Sequence, residues 1–233
     1  MADYQKPSLT VFFPCYNDKG TIQSLIEKAD MVAREWTDNY EILVIDDGSH
    51  DGSRDILKNL QAQYPHLRIV FHQQNEGYGA ALQSGFKEAK KDWIFYTDGD
   101  GQYDVLELRR LLPLMNQEVY LVNGYKIRRS DVWYRKILGK IYTAVSKIIF
   151  GIRIRDVNCD FRLMKRQIFE TIKLTSKSGA IGLELIKKIQ FAGFKILECP
   201  IHHYPRLHGH SQFLNVKRIL QTVFDLVRLR FYE

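Results

Sequence analysis

Four short apolar runs that alternate with helical patterns constrain the fold of this chain more than any other feature. The runs are rich in β-branched and aromatic residues and end at polar loops; they cover residues 9–13, 41–45, 67–71 and 93–97. The second run lacks polar alternation, which is typical of a parallel strand covered on both faces. Regular alternation of strand and helix predicts an α/β fold with a mostly parallel, doubly wound sheet and helices on both faces.

The second half of the chain is less regular. Its apolar spacing predicts helices at 105–114, 135–150, 183–191 and 216–231, and short strands at 119–122 and 195–200. The last helix is basic and amphipathic. Internal repeats, low-complexity tracts and linkers are missing from the sequence, so residues 1–233 are predicted to form a single domain.

The charge balance narrows the range of partners. Of 233 residues, 34 are Lys or Arg and 27 are Asp or Glu, and the net charge of +7 favours anionic partners such as nucleotides or phospholipid surfaces. We expect no nucleic acid partner, because zinc-finger spacing, an RNA-binding aromatic signature and a long basic block are all missing. Three scattered cysteines suggest neither a disulfide framework nor a cysteine zinc site.

The sequence offers no obvious route into a membrane. No apolar run approaches the roughly 20 residues that span a bilayer, and residues 1–6 lack a signal-peptide pattern. We therefore expect the catalytic face in the cytoplasm.

The stretch Asp98-Gly99-Asp100-Gly101-Gln102 follows the fourth apolar run. Period-two alternation points both carboxylates the same way, and the glycines leave room for a ligand to approach the backbone. Carboxylate oxygens suit hard cations such as Mg²⁺ or Mn²⁺, which are often shared with substrate phosphates. The stretch therefore predicts a metal site that holds a nucleotide diphosphate; the alternative is a polar turn between a strand and a helix.

Two more polar loops follow predicted strands, at 14–18 and at Asp46-Asp47. In open α/β sheets, ligands bind at the carboxyl ends of the strands. All three loops lie on that edge, so we expect their acids to share one site. One of Asp46 and Asp47 could instead cap the following helix.

Taken in order, these motifs resemble the family 2 glycosyltransferases of the GT-A fold, and more closely the dolichol- and polyprenol-phosphate sugar synthases. The resemblance runs from about residue 9 to about residue 213. It implies a Rossmann-like GT-A sheet with a nucleotide-binding half at about 7–125, an acceptor-side half at about 126–215 and the amphipathic helix at about 216–233.

On the donor side, the resemblance assigns three groups of residues. Residues of the first loop line the nucleotide pocket, with Asp in place of the usual Glu, and the second loop contacts the base. The metal motif holds Mg²⁺ or Mn²⁺ against the diphosphate. These positions are Pro14, Tyr16 and Asp18 for the pocket, Ile45 and Asp47 for the base, and Asp98, Gly99, Asp100 and Gln102 for the metal and diphosphate.

Beyond the metal motif, the resemblance implies phosphate contacts from Lys126, where Arg is commoner, and from Arg135 to the lipid phosphate. Gly139 stands where relatives carry Ser, and Asp160 where they carry Gly. The resemblance also implies that a later segment closes over the diphosphate.

That closing segment contains Arg206, His208 and Ser211, with Gln212 in place of Lys. A zinc site built from His202, His203, His208 and His210 is the alternative, and phosphate contact by Arg206 and His208 is favoured over it. His202 and His203 are expected to make ordinary hydrogen bonds at a strand end.

These assignments imply a metal-dependent, inverting glycosyltransferase. It would move a sugar from a UDP- or GDP-linked donor to a polyprenyl phosphate, with Asp98, Asp100, Arg135 and Arg206 as catalytic residues. One alternative is transfer to a saccharide hydroxyl, with Asp156 or Asp160 as the base. The other is a nucleotide-sugar-binding scaffold without activity.

A lipid acceptor requires access to a membrane. The basic stretches at 135–150 and 216–231 could lie on an anionic bilayer or pack on the sheet, and both interpretations stay open. We expect a peripheral location at the cytoplasmic membrane face, through the surface itself or a membrane-anchored partner. An anchor after Glu233 is expected if the chain is part of a longer protein.

Overall fold

A seven-stranded sheet forms the centre of the computed structural model, which describes residues 6–127, 133–206 and 216–231. The strands are β1 (Leu9–Cys15), β2 (Tyr40–Asp46), β3 (Leu67–Phe71), β4 (Trp93–Thr97), β5 (Val119–Ile127), β6 (Phe161–Lys165) and β7 (Lys195–His202). The four strands predicted in the first half are confirmed. Strand β6 was not predicted, and β5 continues well past residue 122.

The helices are α1 (Ile22–Trp36), α2 (Ser53–Gln63), α3 (Tyr78–Glu88), α4 (Leu108–Leu111), α5 (Trp133–Phe150), α6 (Ile168–Thr171), α7 (Ile181–Phe191) and α8 (Val216–Phe231). The predicted helix at 105–114 is instead a short α4 flanked by 3₁₀ turns at Val105–Glu107 and Leu112–Leu114. Pro113 explains its interruption, because proline lacks the backbone N–H that a continuous helix needs.

The strands lie in the order β3-β2-β1-β4-β6-β5-β7. The first four are parallel, β6 runs antiparallel to both its neighbours, and β5 pairs in parallel with β7. The mostly parallel α/β sheet predicted from the sequence is therefore confirmed.

Apolar layers cover both faces of the sheet. Alternate residues of β1 and β2 point to opposite layers; Val11 and Val44 belong to the layer under α1 and α2. Phe12 and Leu43 belong to the layer that includes residues of α3, α7 and α8. An added Cβ at Gly85 of α3 would meet the ring of Phe12 at 2.0 Å, so only glycine lets that helix lie so close to β1.

The strand order reverses between β1 and β4, since the chain first builds β2 and β3 to one side and then returns to the other. Ligand sites of open α/β sheets form outside the carboxyl ends of the strands at such a reversal. The loops after β1, β2 and β4 converge there. None of the described helices is long and apolar enough to cross a membrane.

Candidate active site

A cavity of about 520 Å³ opens at the carboxyl ends of β1, β2 and β4. It brings together the three loops predicted to share a site, and Arg206 from beyond β7 lies among them. Its walls include the predicted residues Pro14, Tyr16, Asp18, Asp47, Asp98, Gly99, Asp100 and Arg206. The walls also include Cys15, Asn17, Lys19, Gly20, Asp51, Asn75, Tyr78 and Ala81.

The loops after β1 and β2 are locked together by hydrogen bonds. The Asn17 amide donates to Ser49 Oγ at 2.9 Å, and Asn17 Oδ1 accepts from the His50 amide at 2.9 Å. The Lys19 amide donates to Asp51 Oδ2 at 3.0 Å. Asn17 has a φ of 58°, a left-handed conformation that Asn tolerates better than most residues. The two loops together therefore form one wall of the cavity.

The metal motif packs directly against the first loop. An added Cβ at Gly99 would lie 2.6 Å from the Pro14 carbonyl oxygen and 2.8 Å from Asp18 Oδ2. The space that a side chain at position 99 would need is therefore occupied by Pro14 and Asp18, although the Gly99 backbone still lines the cavity. Thr21 Oγ1 donates to the Gly99 carbonyl at 2.6 Å and lies 3.1 Å from the Asp18 carbonyl oxygen. Thr21 is the N-cap residue of α1, and its side chain joins the two loops instead of capping the helix.

Asp18 lies beside the metal motif. Burial and the nearby Asp100 charge raise the pKa of Asp18 to about 6, against the opposing hydrogen bond from the Tyr16 amide at 3.0 Å and the charge of Arg206. Carboxylates crowded together at low dielectric disfavour one another's charge. A cation at this position would relieve that repulsion.

Asp98 accepts a hydrogen bond from the Tyr78 hydroxyl at 2.7 Å. Its pKa lies well above the usual carboxyl value, because of burial and the nearby charges of Asp160 and Asp100, which outweigh Tyr78 and Arg206. Like charges held together in a cleft are a common property of ligand and metal sites.

Asp100 is paired on both sides. Its Oδ2 forms an ion pair with Arg206 Nη2, and its Oδ1 accepts from the Gln102 amide at 3.0 Å. Gln102 Nε2 donates to the Tyr204 carbonyl at 3.3 Å, and the amide oxygen is the atom of that side chain that could coordinate a metal. The buried Nε of Arg206 has no hydrogen-bond partner among the described atoms, so this guanidinium has donor capacity for an anion.

The side-chain oxygens of Asp98, Asp100 and Gln102 suit a hard cation only when other oxygen atoms complete its coordination shell. Within 6–127, 133–206 and 216–231, no group of three or more His, Cys, Asp and Glu side chains could hold a metal ion alone. Mg²⁺ and Mn²⁺ accept such partial sites, since one or two carboxylates commonly combine with substrate phosphates and water. Asp98 and Asp100, which line the cavity, fit that requirement; Gln102 is bonded to Asp100 through its backbone amide, but it is not among the residues that line the cavity.

Asp47 has its carboxylate engaged by the protein. His72 Nδ1 lies 2.8 Å from Asp47 Oδ1, which also accepts from the Glu76 amide at 2.9 Å, and Oδ2 accepts from the Gly77 amide at 2.9 Å. The loop after β3 is fixed to the loop after β2 by these bonds. Ile45 lies fully buried in the apolar core, and its side chain does not reach the cavity.

Asp46 is fully buried, and its Oδ1 accepts from Arg54 Nε at 2.6 Å and from the Ser49 amide at 3.2 Å. Neither Asp46 nor Asp47 caps α2, because the N-cap position of that helix is Gly52. The capping alternative for these two acids is therefore wrong.

Lys126 lies outside the cavity. The strand β5 continues through it, and Lys126 Nζ lies 3.2 Å from Asp156 Oδ2 and also donates to the Asn158 carbonyl. Burial disfavours the charge on Asp156, yet the charge and hydrogen bonds of Lys126 bring the pKa of Asp156 below its usual value. The structure therefore does not bring Lys126 together with the donor-side acids.

The remaining predicted residues are only partly described. Arg135 lies in α5, and its side chain is outside the described part. His208 and Ser211, together with Gly209, His210 and Gln212, fall outside the described residues. His202 Nδ1 lies 3.1 Å from Glu107 Oε1, and the His203 ring packs edge-on against Tyr103, at a ring-centroid distance of 5.2 Å.

A buried arginine connects β6 to the acid cluster. Arg162 Nη1 donates to the Tyr96 hydroxyl at 2.6 Å, and that hydroxyl donates to Asp160 Oδ1 at 3.3 Å. Arg162 Nη2 lies 3.8 Å from Asp160 Oδ1. The fully buried guanidinium thus holds Asp160, and Asp160 in turn raises the pKa of Asp98.

Sequence reasoning missed Asn75 and Tyr78, which line the cavity. The signal was present, since both follow β3 and that strand also ends at the carboxyl edge.

Comparison with known proteins places the chain in a family. The sequence model described as glycosyl transferase family 2 matches residues 10–173. An undecaprenyl-phosphate 4-deoxy-4-formamido-L-arabinose transferase from Aeromonas hydrophila subsp. hydrophila is 28% identical over 220 residues, covering 94% of this chain and 66% of that protein. The chain thus spans slightly less than two thirds of the length of this relative.

Solved structures with low sequence identity share the fold. A mannosyltransferase from Pyrobaculum calidifontis, solved with GDP-Man and Mn²⁺, superposes with a TM-score of 0.67 at 17% identity, over 97% of this chain and 65% of that one. Glucosyl-3-phosphoglycerate synthase from Mycobacterium tuberculosis, solved with Mn²⁺, UDP and glucosyl-3-phosphoglycerate, gives 0.70 at 18%, over 96% and 80%. The GT-A fold expected from the motifs is confirmed, and the chain belongs to glycosyl transferase family 2.

Proposed function

We propose that this protein is a metal-dependent, inverting glycosyltransferase that moves a sugar from a nucleoside-diphosphate sugar to a polyprenyl phosphate. The observation that carries the proposal is the cavity in which Asp98 and Asp100 of the metal motif meet the guanidinium of Arg206. Two acids for a cation and one Arg for a phosphate are what a sugar diphosphate requires for binding.

The donor would lie along the interlocked loops. Its base would enter between the first loop and Asp47, where Asp47 Oδ2 has one protein donor and therefore a lone pair left for a ring N–H. Tyr16 and Asn75 would line the same region of the cavity. The diphosphate would then reach Asp100 and Arg206.

Asp98, Asp100 and Gln102 would hold the Mg²⁺ or Mn²⁺ ion. When bound, the cation stabilises negative charge that develops on the departing diphosphate. Relatives in the same fold class were solved with Mn²⁺ and a nucleotide or nucleotide sugar, which supports a divalent ion at this edge.

The protein's own residues would bind and orient, and none would need to move a proton. A lipid phosphate is already largely ionised near neutral pH, its second pKa being about 6 by analogy with phosphoserine. A phosphate oxygen would attack the anomeric carbon in line, the bond from that carbon to the diphosphate oxygen would break, and the nucleoside diphosphate would leave with inversion of configuration. Arg206 would exchange its contact with Asp100 for the donor phosphates, and Arg135 would hold the acceptor phosphate.

The acceptor is supported by the relative from Aeromonas hydrophila, whose name specifies undecaprenyl phosphate. A membrane lipid as acceptor implies that the protein works at a membrane surface. Transfer to a saccharide hydroxyl would need a carboxylate base. Asp156 is paired with Lys126 and has a lowered pKa, so Asp160 would be the base in that case.

The test is a transfer assay with a panel of UDP- and GDP-sugars, Mn²⁺ or Mg²⁺, and three acceptors: a polyprenyl phosphate, the matching polyprenol, and an oligosaccharide. We expect product only with the phosphate, in the opposite anomeric configuration to the donor, and abolished by EDTA. Asp160→Asn should retain at least about half of the wild-type rate. Product from the polyprenol or oligosaccharide that depends on Asp160 would establish hydroxyl transfer instead.

A thermal-shift panel of the same donors identifies the nucleotide. A ligand at a hundred times its Kd should stabilise the fold by about 2.7 kcal/mol. Stabilisation by a donor without turnover on any acceptor would favour a binding scaffold.

A further inference from the structure

The ring of His72, the residue that follows β3, bridges two elements of the fold. Its Nδ1 lies 2.8 Å from Asp47 Oδ1, and its Nε2 lies 2.9 Å from Ser84 Oγ on α3. An ionised carboxylate only accepts hydrogen bonds, so Nδ1 carries a proton towards Asp47. In the neutral ring, Nε2 then accepts from the Ser84 hydroxyl. The His72 side chain is 9% exposed, so the ring is held on both sides in a nearly dry environment.

Serine, histidine and aspartate in this order resemble the groups of a hydrolytic triad. A nucleophile must reach its substrate, however, and Ser84 is not among the residues that line the cavity beside the metal motif. Asp47 does line that cavity. The serine and the histidine therefore orient the aspartate, and the aspartate is the group of the three that can meet a ligand.

The backbone of His72 is fixed as firmly as its ring. Its amide donates to the Asp46 carbonyl at 2.8 Å, and its carbonyl accepts from Arg54 Nη2. Arg54 is itself anchored, because its Nε donates to Asp46 Oδ1 at 2.6 Å. His72 thus cannot swing away from Asp47 without breaking contacts that join β2, α2 and the end of β3.

The Asp47 carboxylate has one acceptor position left. Oδ1 accepts from His72 and from the Glu76 amide at 2.9 Å, and these two bonds use both lone pairs of that oxygen. Oδ2 accepts from the Gly77 amide at 2.9 Å, and its second lone pair has no donor among the described residues. Asp47 is 3% exposed and lines the cavity, so this lone pair is the one that remains for a ligand.

We propose that His72, by occupying Asp47 Oδ1, makes the cavity selective for a nucleoside diphosphate whose base has a single ring N–H between two carbonyl groups, as uracil and thymine have. One N–H matches the one lone pair that Oδ2 retains. Guanine presents a ring N–H and an amino group side by side, and a carboxylate pairs with both only through both of its oxygens. Adenine and cytosine present a ring nitrogen lone pair there, which a carboxylate repels.

Guanine would pair with both oxygens only if a protein donor left Oδ1. Turning the His72 ring away would leave its Nδ1–H without an acceptor in a nearly buried position, which is costly. Withdrawing the Glu76 amide would detach the loop after β3 from the loop after β2. His72 is thus a positioning residue that acts through Asp47. This proposal rests on the proposed function for the presence of a nucleoside diphosphate in the cavity.

Isothermal titration with nucleoside diphosphates and Mn²⁺ tests the selectivity without any acceptor. The panel contains UDP, dTDP, GDP, CDP, ADP and N3-methyl-UDP, which lacks the ring N–H. We expect UDP or dTDP to bind at least about thirtyfold more tightly than GDP, CDP and ADP, because each of these leaves a polar group unpaired. Comparison of UDP with dTDP distinguishes uracil on ribose from thymine on deoxyribose. N3-methylation should weaken UDP binding by at least about tenfold.

Variants of His72 assign the selectivity to this residue. His72→Ala and His72→Leu remove the donor that holds the carboxylate, which can then turn and present a second lone pair. Each should reduce the preference for UDP over GDP to less than about fivefold. His72→Asn places an amide N–H near the position of Nδ1 and should restore most of the preference. The matched control is His66→Ala, an exposed histidine immediately before β3, and it should keep the wild-type preference.

The ratio of the two affinities is the decisive measurement, because a merely structural role of His72 would weaken UDP and GDP equally. Such an equal loss, equal or tighter binding of GDP by the wild type, or undiminished binding of N3-methyl-UDP would each overturn the proposal. Failure of every nucleoside diphosphate to bind would overturn the proposed function as well. Selective binding of UDP or dTDP without transfer to any acceptor would support the selectivity and contradict only the proposed chemistry.

Discussion

Two charged clusters of the protein differ in how their charges are combined: the donor-side acids Asp18, Asp98 and Asp100, and the pair Lys126–Asp156. Asp18, Asp98 and Asp100 place like charges around one cavity, with Arg206 as their cationic partner. Lys126 and Asp156 place opposite charges against each other, and the lysine side chain is 3% exposed. The first cluster thus carries more negative than positive charge, whereas the two charges of the second cluster neutralise each other.

Their pKa shifts follow from this difference. Burial and neighbouring carboxylates raise the pKa of Asp18 to about 6 and that of Asp98 above its usual value. The pKa of Asp156 is lowered, because Lys126 outweighs the cost of burial. Like charges that are not neutralised lower the stability of the fold but can bind a ligand of opposite charge, whereas a neutralised pair adds to stability. Substitutions in the two clusters should therefore affect different measurements.

Asp100→Ala should give the largest effect. Removing one proposed oxygen ligand and the partner of Arg206 should lower turnover by at least about a hundredfold, as expected when one preorganised electrostatic contact is lost. The fold should survive, because the substitution relieves repulsion around Asp18 and Asp98. Turnover at saturating donor and metal, together with thermal unfolding, measures both effects.

The matched control for this carboxylate is Asp55→Asn, an exposed acid in the first turn of α2. It should change neither turnover nor unfolding appreciably. Near-normal turnover of Asp100→Ala with metal supplied would contradict the donor-site assignment.

Lys126→Met should act on stability. Breaking a buried ion pair leaves an uncompensated carboxylate, and we expect a loss of about 3 kcal/mol in the free energy of unfolding. The donor KM should change less than about threefold. Replacing Asp156 by Asn as well should recover part of the lost stability, because the buried charge is then gone.

The pH dependence of this pair has a definite sign. Since the folded pKa of Asp156 is depressed, its contribution to stability is present above the unfolded value of about 3.9 and is lost as pH falls through the folded pKa. The difference in unfolding free energy between wild type and Lys126→Met should therefore shrink as pH falls, starting above about pH 4, where the unpaired buried carboxylate of the variant takes up a proton, and continuing below it. A raised donor KM with unchanged stability would instead support the phosphate contact predicted from the sequence.

The two clusters also differ in how far sequence could predict them. Asp98 and Asp100 follow an apolar strand directly, and the carboxyl-edge rule places any such residue at the ligand crevice. The partner of Lys126 is 30 residues further along the chain, and local spacing carries no information about that pairing. The motif located Lys126 in the sequence, and the tertiary contact determines what its charge faces.

Strand β6 was missed for a related reason. Its sequence, FRLMK, has Arg162 near its start, and an arginine argues against a buried strand. Arg162 is nevertheless fully buried, because Asn123 Oδ1, the Tyr96 hydroxyl and the Val157 carbonyl accept its N–H groups at 2.9, 2.6 and 2.7 Å. Those partners come from three separate segments. The spacing of apolar residues predicts strands and helices that bury apolar side chains. It fails for a strand such as β6, in which a charged side chain is buried together with its hydrogen-bond acceptors.

Arg206→Gln tests how the donor-side cluster balances its charge. Arg206 holds Asp100 in the structure and would turn to the donor phosphates, so its loss should lower turnover by about thirtyfold. Affinity for Mn²⁺ alone, followed by electron paramagnetic resonance, should rise several-fold because Asp100 is released from the ion pair. Affinity for the nucleoside diphosphate should fall.

Arg109→Gln is the matched control, an arginine paired with Glu35 at 2.8 Å where both side chains are about half exposed. It should leave metal affinity and turnover unchanged. A fall in Mn²⁺ affinity for Arg206→Gln would mean that Arg206 assists the metal site instead of competing for Asp100.

Tyr78→Phe should give the smallest effect of the series. It removes a hydrogen bond that orients the Asp98 carboxylate and leaves the charge of that carboxylate in place. The hydroxyl donates to Asp98 Oδ1 at 2.7 Å, and its removal leaves the carboxylate in place with one fewer hydrogen bond. Hydrogen bonds to charged groups contribute about 1.5–3 kcal/mol, but a bound cation would compensate part of that loss, so we expect turnover to fall about fivefold. Tyr64→Phe at the end of α2 is the control and should match the wild type. A loss in Tyr78→Phe as large as that in Asp100→Ala would mean that Tyr78 touches the substrate directly, whereas an unchanged rate would mean that Asp98 is held by its strand alone.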